Sequence, residues 1–88
     1  MSYTLYIASS SEKEIARLPK RLFQKITQRI LSLSDDPRPT GCKKLEGEVK
    51  YRIRVGRYRV LYKIDDVERS IEIVAVGHRK DVYRRKSS

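Results

Sequence analysis

From residue 51 to residue 64 the chain reads YRIRVGRYRVLYKI, an alternation of apolar and basic positions interrupted once, at Gly56-Arg57. A period of two marks a strand with one buried face. A two-residue interruption with glycine first suits a type II′ hairpin turn. The predicted register opposes Val55 to Tyr58, Arg54 to Arg59, Ile53 to Val60, Arg52 to Leu61 and Tyr51 to Tyr62. One face then carries Tyr51, Ile53, Val55, Tyr58, Val60 and Tyr62. The other carries Arg52, Arg54 and Arg59, with Lys50 and Lys63 at the open end. Like charges placed directly opposite each other destabilise a sheet. The Arg54–Arg59 opposition therefore asks for a reason beyond folding.

The same pattern reading places the other elements. YTLYIA (3–8) is strand-like. In SSSEKEIARL, both Ser9-x-x-Glu12 and Ser11-x-x-Glu14 match a capping box, which predicts a short helix to about Leu18. Pro19 breaks the chain and suits the first turn of a second helix. From Lys20, apolar residues Leu22, Phe23, Ile26, Ile30 and Leu33 recur at three- and four-residue spacing, an amphipathic helix to about Ser34. DDPRPTG ends it. After the hairpin, DDVER turns the chain into SIEIVAVG (70–77), a strand whose weaker alternation suits partial cover on both faces. HRKDVYRRKSS closes the chain as a turn or short helix with a basic tail. The expected fold is α+β, in the order β-α-α-β-β-β with a short C-terminal segment. It is a single domain over 1–88, a small, mainly antiparallel four-stranded sheet with an N-terminal helical hairpin on one face.

Charge sharpens the picture. The 88 residues carry 21 Lys+Arg against 11 Asp+Glu, a formal net charge of +10 and an anionic partner by implication. Lys13, Lys20 and Lys25 read as solvated helix positions. The hairpin region is different: Lys43, Lys44, Lys50, Arg52, Arg54, Arg57, Arg59 and Lys63 crowd into residues 43–63, and Arg79, Lys80, Arg84, Arg85 and Lys86 into 79–86. A phosphodiester chain bridging Arg54 and Arg59 would make their opposition tolerable, since a guanidinium donates two parallel bonds to phosphate oxygens. SIEIVAVG, paired beside the second hairpin strand, would bring His78 and Arg79 to the same surface, with Tyr83 close by. Tyr83 either stacks on a base or packs the tail onto the sheet. On the residues alone His78 reads first as a simple strand-end residue, and Arg52 also reads as a partner for Glu48 or Glu72. The lone Cys42 and single histidine exclude an internal disulfide and a self-sufficient zinc site. Cys42 reads as an incidental loop residue in a cytoplasmic protein. No signal peptide or membrane-spanning run is evident, and no cofactor is called for.

KKLEGEVKYRIRVGRYRVLYKI followed by IEIVAVGHRKDVY resembles the RelE toxins of the RelE/ParE superfamily, and the ARLPKRL break between the helices fits as well. The resemblance implies a toxin of a type II toxin–antitoxin system: a ribosome-dependent, metal-independent mRNA endoribonuclease in which the substrate's own 2′-hydroxyl attacks the adjacent phosphodiester. Its implied partners are an acidic cognate antitoxin, the ribosome and mRNA in the decoding site, with no membrane. By that resemblance Arg52 and Arg54 bind and neutralise charge and Arg59 stabilises the transition state. Arg79 neutralises or protonates the leaving group, and Tyr83 stacks on the substrate base. Lys43, Lys44, Lys50, Arg57, Lys63, Lys80, Arg84 and Arg85 would extend the RNA-binding surface. The best-known branch has lysines at the positions of Arg52 and Arg54. Arginine does not give up its proton, so this pair is a clamp rather than a base, and His78 becomes the candidate for proton transfer. Two other readings share the scaffold: a ParE-like DNA gyrase inhibitor, and a non-catalytic RNA- or ribosome-binding module.

Overall fold

The structure, a computed structural model, describes residues 2–45 and 50–78. Seven elements follow in order: β1 (Thr4–Ile7), α1 (Ser9–Ala16), α2 (Lys20–Leu33), β2 (Lys43–Lys44), β3 (Tyr51–Val55), β4 (Tyr58–Asp65) and β5 (Ser70–His78). The sheet has five strands, in the order β1-β5-β4-β3-β2. The expected count of four misses β2, whose two lysines carry no apolar pattern but pair antiparallel with β3, Lys43 opposite Arg52 and Lys44 opposite Tyr51. All neighbours are antiparallel except β1, which runs parallel to β5.

The hairpin has the predicted register at all five pairs, Arg54–Arg59 included. Gly56 turns with φ +61, and Arg57 is not among the positive-φ residues, as a type II′ turn requires. Only glycine adopts that first position without strain. Ile53, Val55, Val60 and Tyr62 lie in the main core with Tyr51 and Tyr58 packed beside them, so the predicted apolar face is the buried one. Ile26, Ile30 and Leu33 of α2 and Ile15 of α1 cover it, together with Ile71, Ile73 and Val76 of β5. Cys42 packs against this core as well, which makes it more than a loop residue.

Three local readings change. α1 ends at Ala16, two residues short of Leu18, and Pro19 is the N-cap of α2 rather than part of its first turn. Neither serine caps α1: the N-cap is Ala8, with no side-chain cap bond. The uneven alternation of β5 does reflect cover on both faces, with Ile71, Ile73 and Val76 in the main core and Val74 and Ala75 in a smaller one, and a bulge adds to it. Tyr62 pairs with Ile73 but Leu61 with Ala75, so Val74 is an extra residue between them.

The far end of the sheet is held by polar contacts. The Tyr3 hydroxyl donates to Asp66 Oδ1 at 2.8 Å, and Arg38 Nη2 meets Asp66 Oδ2 at 3.0 Å. Arg38 also donates to the Tyr51 hydroxyl at 3.3 Å and lies 5.1 Å from the Tyr51 ring centroid. The bond from Arg38, and next that from Tyr3, holds the Asp66 carboxyl below the usual carboxylate range. A depressed folded-state pKa contributes stability above the unfolded value, about 3.9, and loses it as pH falls through the folded one. The urea midpoint of wild type should thus exceed that of Asp66→Asn at pH 6, and the gap should close below about pH 4. A gap that persisted at pH 2.5 would remove the ion pair as its cause.

Candidate nucleic-acid site

Alternation on β3 and β4 sends Arg52, Arg54, Arg59 and Leu61 to the face away from the helices. That face is not bare. Leu61 and Ala75 form a second, smaller core there with Leu45 and Val74. The bulge contributes to it by turning Val74 and Ala75 toward one side. Arg59 is buried, at 6% exposure, although it lies opposite the main core.

Arg54, Gly56, Arg57, Arg59 and His78 line a cavity of about 260 Å³ at the hairpin-turn end of the sheet. The row across its floor runs from Arg54 on β3 through Arg59 on β4 to Gly77 on β5. Gly77 puts no side chain beside Arg59. Two, and with Arg57 three, guanidinium groups thus line one recess, and none of the described residues lining it is acidic. Such a recess suits an anion that can take several charge-assisted bonds at once.

His78 reaches this cavity only at its rim. In the pairing register it stands opposite Tyr58, on the helix side, and its ring meets Tyr58 edge-on with centroids 5.9 Å apart. It also lines a recess on that side with Glu14, Arg17 and Tyr58. The sequence reading had His78 joining the arginine surface directly. The Val74 bulge shifts the side-chain phase by one residue, so Gly77 takes the place beside Arg59 and His78 sits at the edge.

The other candidates spread out. Half-buried Arg52 lies between Lys43 and Leu61, removed from the cavity lining. Lys43 shares the Arg52 side, Lys44 pairs with Tyr51, and half-buried Lys50 leads into β3, its carbonyl accepting from the Leu45 N–H at 2.8 Å. Lys63 stands at the opposite end of β4, beside Asp65, Asp66 and Glu72, and is not gathered with the arginines. Arg79, Lys80, Tyr83, Arg84 and Arg85, and Glu48 as a partner for Arg52, lie outside the described residues. Among the described residues no group of three or more His, Cys, Asp or Glu side chains is placed to hold a metal ion. No helix among them is long and apolar enough to cross a membrane. Sequence reasoning missed the pairing of Gly77 with Arg59; the uninterrupted run IVAV hides the phase shift that produces it.

The chain is thus a five-stranded α+β domain with a recess lined by arginines. The chain belongs to the family described as ParE toxin of type II toxin-antitoxin system, parDE, which matches residues 5–83. It is 34% identical over 88 residues to Toxin RelG of Mycobacterium tuberculosis, spanning 97% of this chain and 100% of that protein. Toxin RelE of the same organism is 28% identical over 85 residues, spanning 93% of this chain and 87% of that protein. Among solved structures, a chain of the RelB–RelE complex of the archaeon Pyrococcus horikoshii OT3 superposes with a TM-score of 0.81 at 29% identity, covering 90% of this chain and 97% of that one. A chain of the RelBE2 toxin–antitoxin complex of Mycobacterium tuberculosis gives 0.79 at 29% identity, covering 90% and 100%. The protein is a RelE-type toxin of the RelE/ParE superfamily.

Proposed function

We propose that the protein is a ribosome-dependent mRNA endoribonuclease that acts without a metal. The observation that carries this reading is the Arg54–Arg59 opposition, kept in a cavity with Arg57 and His78 and with Arg59 buried at its floor. In the reaction the 2′-oxygen attacks the adjacent phosphorus and the bond to the 5′-oxygen breaks, leaving a 2′,3′-cyclic phosphate and a 5′-hydroxyl. One proton leaves the nucleophile and one reaches the leaving oxygen. Arg59 answers the charge that develops on the phosphate, while Arg54 and Arg52 hold the backbone. His78 at the rim would exchange a proton with a group in the cavity, a reading its place among the lining residues supports. Arg79 and Tyr83 complete the set as leaving-group and base-stacking residues.

The partner that silences the toxin is an acidic antitoxin. The known complexes of RelB with RelE in the neighbouring structures support such a partner. An apolar groove of about 340 Å³ between β1 and the helices, edged by Ile7, Phe23 and Leu31, suits an amphipathic segment of it.

The test is to express the chain alone and map new 5′ ends on translated messages. Cuts should appear within ribosome-occupied codons, and a 2′-deoxy substitution at the cut site should abolish them. His78→Gln keeps the size of the ring's polar edge but cannot exchange a proton, so it should slow cutting. The family's parDE description favours one rival, a gyrase poison. Stalled gyrase–DNA adducts with intact messages would establish that reading in place of ours.

A further inference from the structure

Ser11 and Glu14, three residues apart on one face of α1, do not cap their helix. They bond to β5. That strand changes neighbours partway along: up to Ile73 it lies between β4 and β1, whose last pair is Ile7 with Ile73. Beyond Ile73, α1 replaces β1. The Ile73 carbonyl accepts from the Ala8 N–H at 3.0 Å and from the fully buried Ser11 hydroxyl at 3.2 Å. Glu14 Oε1 accepts from the Val76 N–H at 3.1 Å.

These bonds bracket Val74, the bulged residue. The bulge decides what stands in the arginine cavity. Were the pairing to continue from Tyr62–Ile73 without the extra residue, Arg59 would face Val76 and Tyr58 would face Gly77. A valine side chain would then stand beside Arg59, and Val76 would leave the core in which it is fully buried. In the observed register Gly77, which has no side chain, stands opposite Arg59, and His78 meets Tyr58 at the rim.

We propose that Ser11 and Glu14 are positioning residues for the arginine cavity: by holding the β5 backbone on both sides of the Val74 bulge, they set the register that puts Gly77 beside Arg59 and His78 at the rim. The proposal rests on the endoribonuclease reading for its kinetic consequence, whereas the register can be read without any activity.

Two substitutions in the full chain separate the hydrogen bond from the bulk of the side chain. Glu14→Met keeps length and helix propensity but offers no oxygen, and Glu14→Gln keeps an acceptor oxygen. For Glu14→Met we expect kcat for message cleavage to fall about 10²-fold with KM little changed, because a small misplacement at a reacting centre acts on the chemical step. Its Val76 amide should exchange faster, and the Gly77 and His78 amide resonances should shift. Glu14→Gln should restore both the rate and the resonances. Ser11→Ala leaves the Ala8 bond to Ile73 in place and gives a second, milder variant should Glu14→Met not fold. Resonances that stay in place in the variant, a rate that does not fall, or a Gln variant as impaired as Met would each overturn the proposal. If the wild type cuts no message, the functional reading fails and the amide signals alone decide the register.

Discussion

Arg59→Ala is expected to lower the rate of message cleavage by about 10²-fold or more while the chain remains folded. Arg59 is 6% exposed and lies between Arg54 and Gly77 in the sheet. Removed from bulk solvent, its charge is screened less than that of Arg54, which is exposed. Arg54→Ala should accordingly cost less, about tenfold. Burial also gives Arg59 a packing role, since an arginine stem buries apolar length and this face carries a second small core. Two stability effects then oppose each other. Losing the stem destabilises, whereas relieving the opposition to Arg54 returns roughly 0.2–1 kcal/mol. The urea midpoint should therefore move little, and Arg59→Met, which keeps the stem, should move it least. A full-speed Arg59→Ala would remove Arg59 from the chemistry. An unfolded Arg59→Met would show that the guanidinium serves the fold first.

The hairpin was legible because two independent signals agreed: the alternation of Tyr51, Ile53 and Val55 with arginines, and a glycine where a left-handed turn needs one. α2 was legible for a similar reason, its buried residues Ile26, Ile30 and Leu33 recurring at helical spacing. Patterns that admit two outcomes hid the rest. Lys43-Lys44 has no periodicity, so β2 is visible only through its pairing with β3. Ser11-x-x-Glu14 has the spacing of a cap, but a helix packed across the end of β1 can spend the same side chains on a strand backbone. IVAV is apolar at every position, so nothing in it marks where the side-chain phase shifts. The cluster of arginines followed from composition and register, whereas the burial of Arg59 and the placing of Gly77 depend on contacts distant in sequence.

Tyr62→Ala should be the most destabilising of these substitutions, by about 3–5 kcal/mol, the range for truncating a buried aromatic. Tyr62 is fully buried in the middle of β4, with its ring stacked on Tyr51 at a centroid distance of 5.9 Å. Its hydroxyl donates to the Pro37 carbonyl at 2.7 Å, which ties the loop between α2 and β2 to the sheet. A domain of this size has only about 5–15 kcal/mol of stability, so the loss would leave a marginal fold. Tyr62→Phe keeps the ring and its packing and loses only the bond to Pro37, which should cost about 1 kcal/mol. The two variants thus divide the residue into ring and hydroxyl. Alkaline titration adds a third measurement. Burial, and next the Cys42 thiol, pushes the Tyr62 phenol above its ordinary value. With the folded pKa raised, the neutral hydroxyl's contribution is whole below about pH 10 and falls away as pH rises beyond it. The gap between wild type and Tyr62→Phe in urea midpoint should therefore be constant from pH 7 to about 9 and narrow above 10. If Tyr62→Phe proved as damaging as Tyr62→Ala, the loop anchor would outweigh the core packing, and the Pro37 bond would be what keeps Lys43 and Lys44 beside β3.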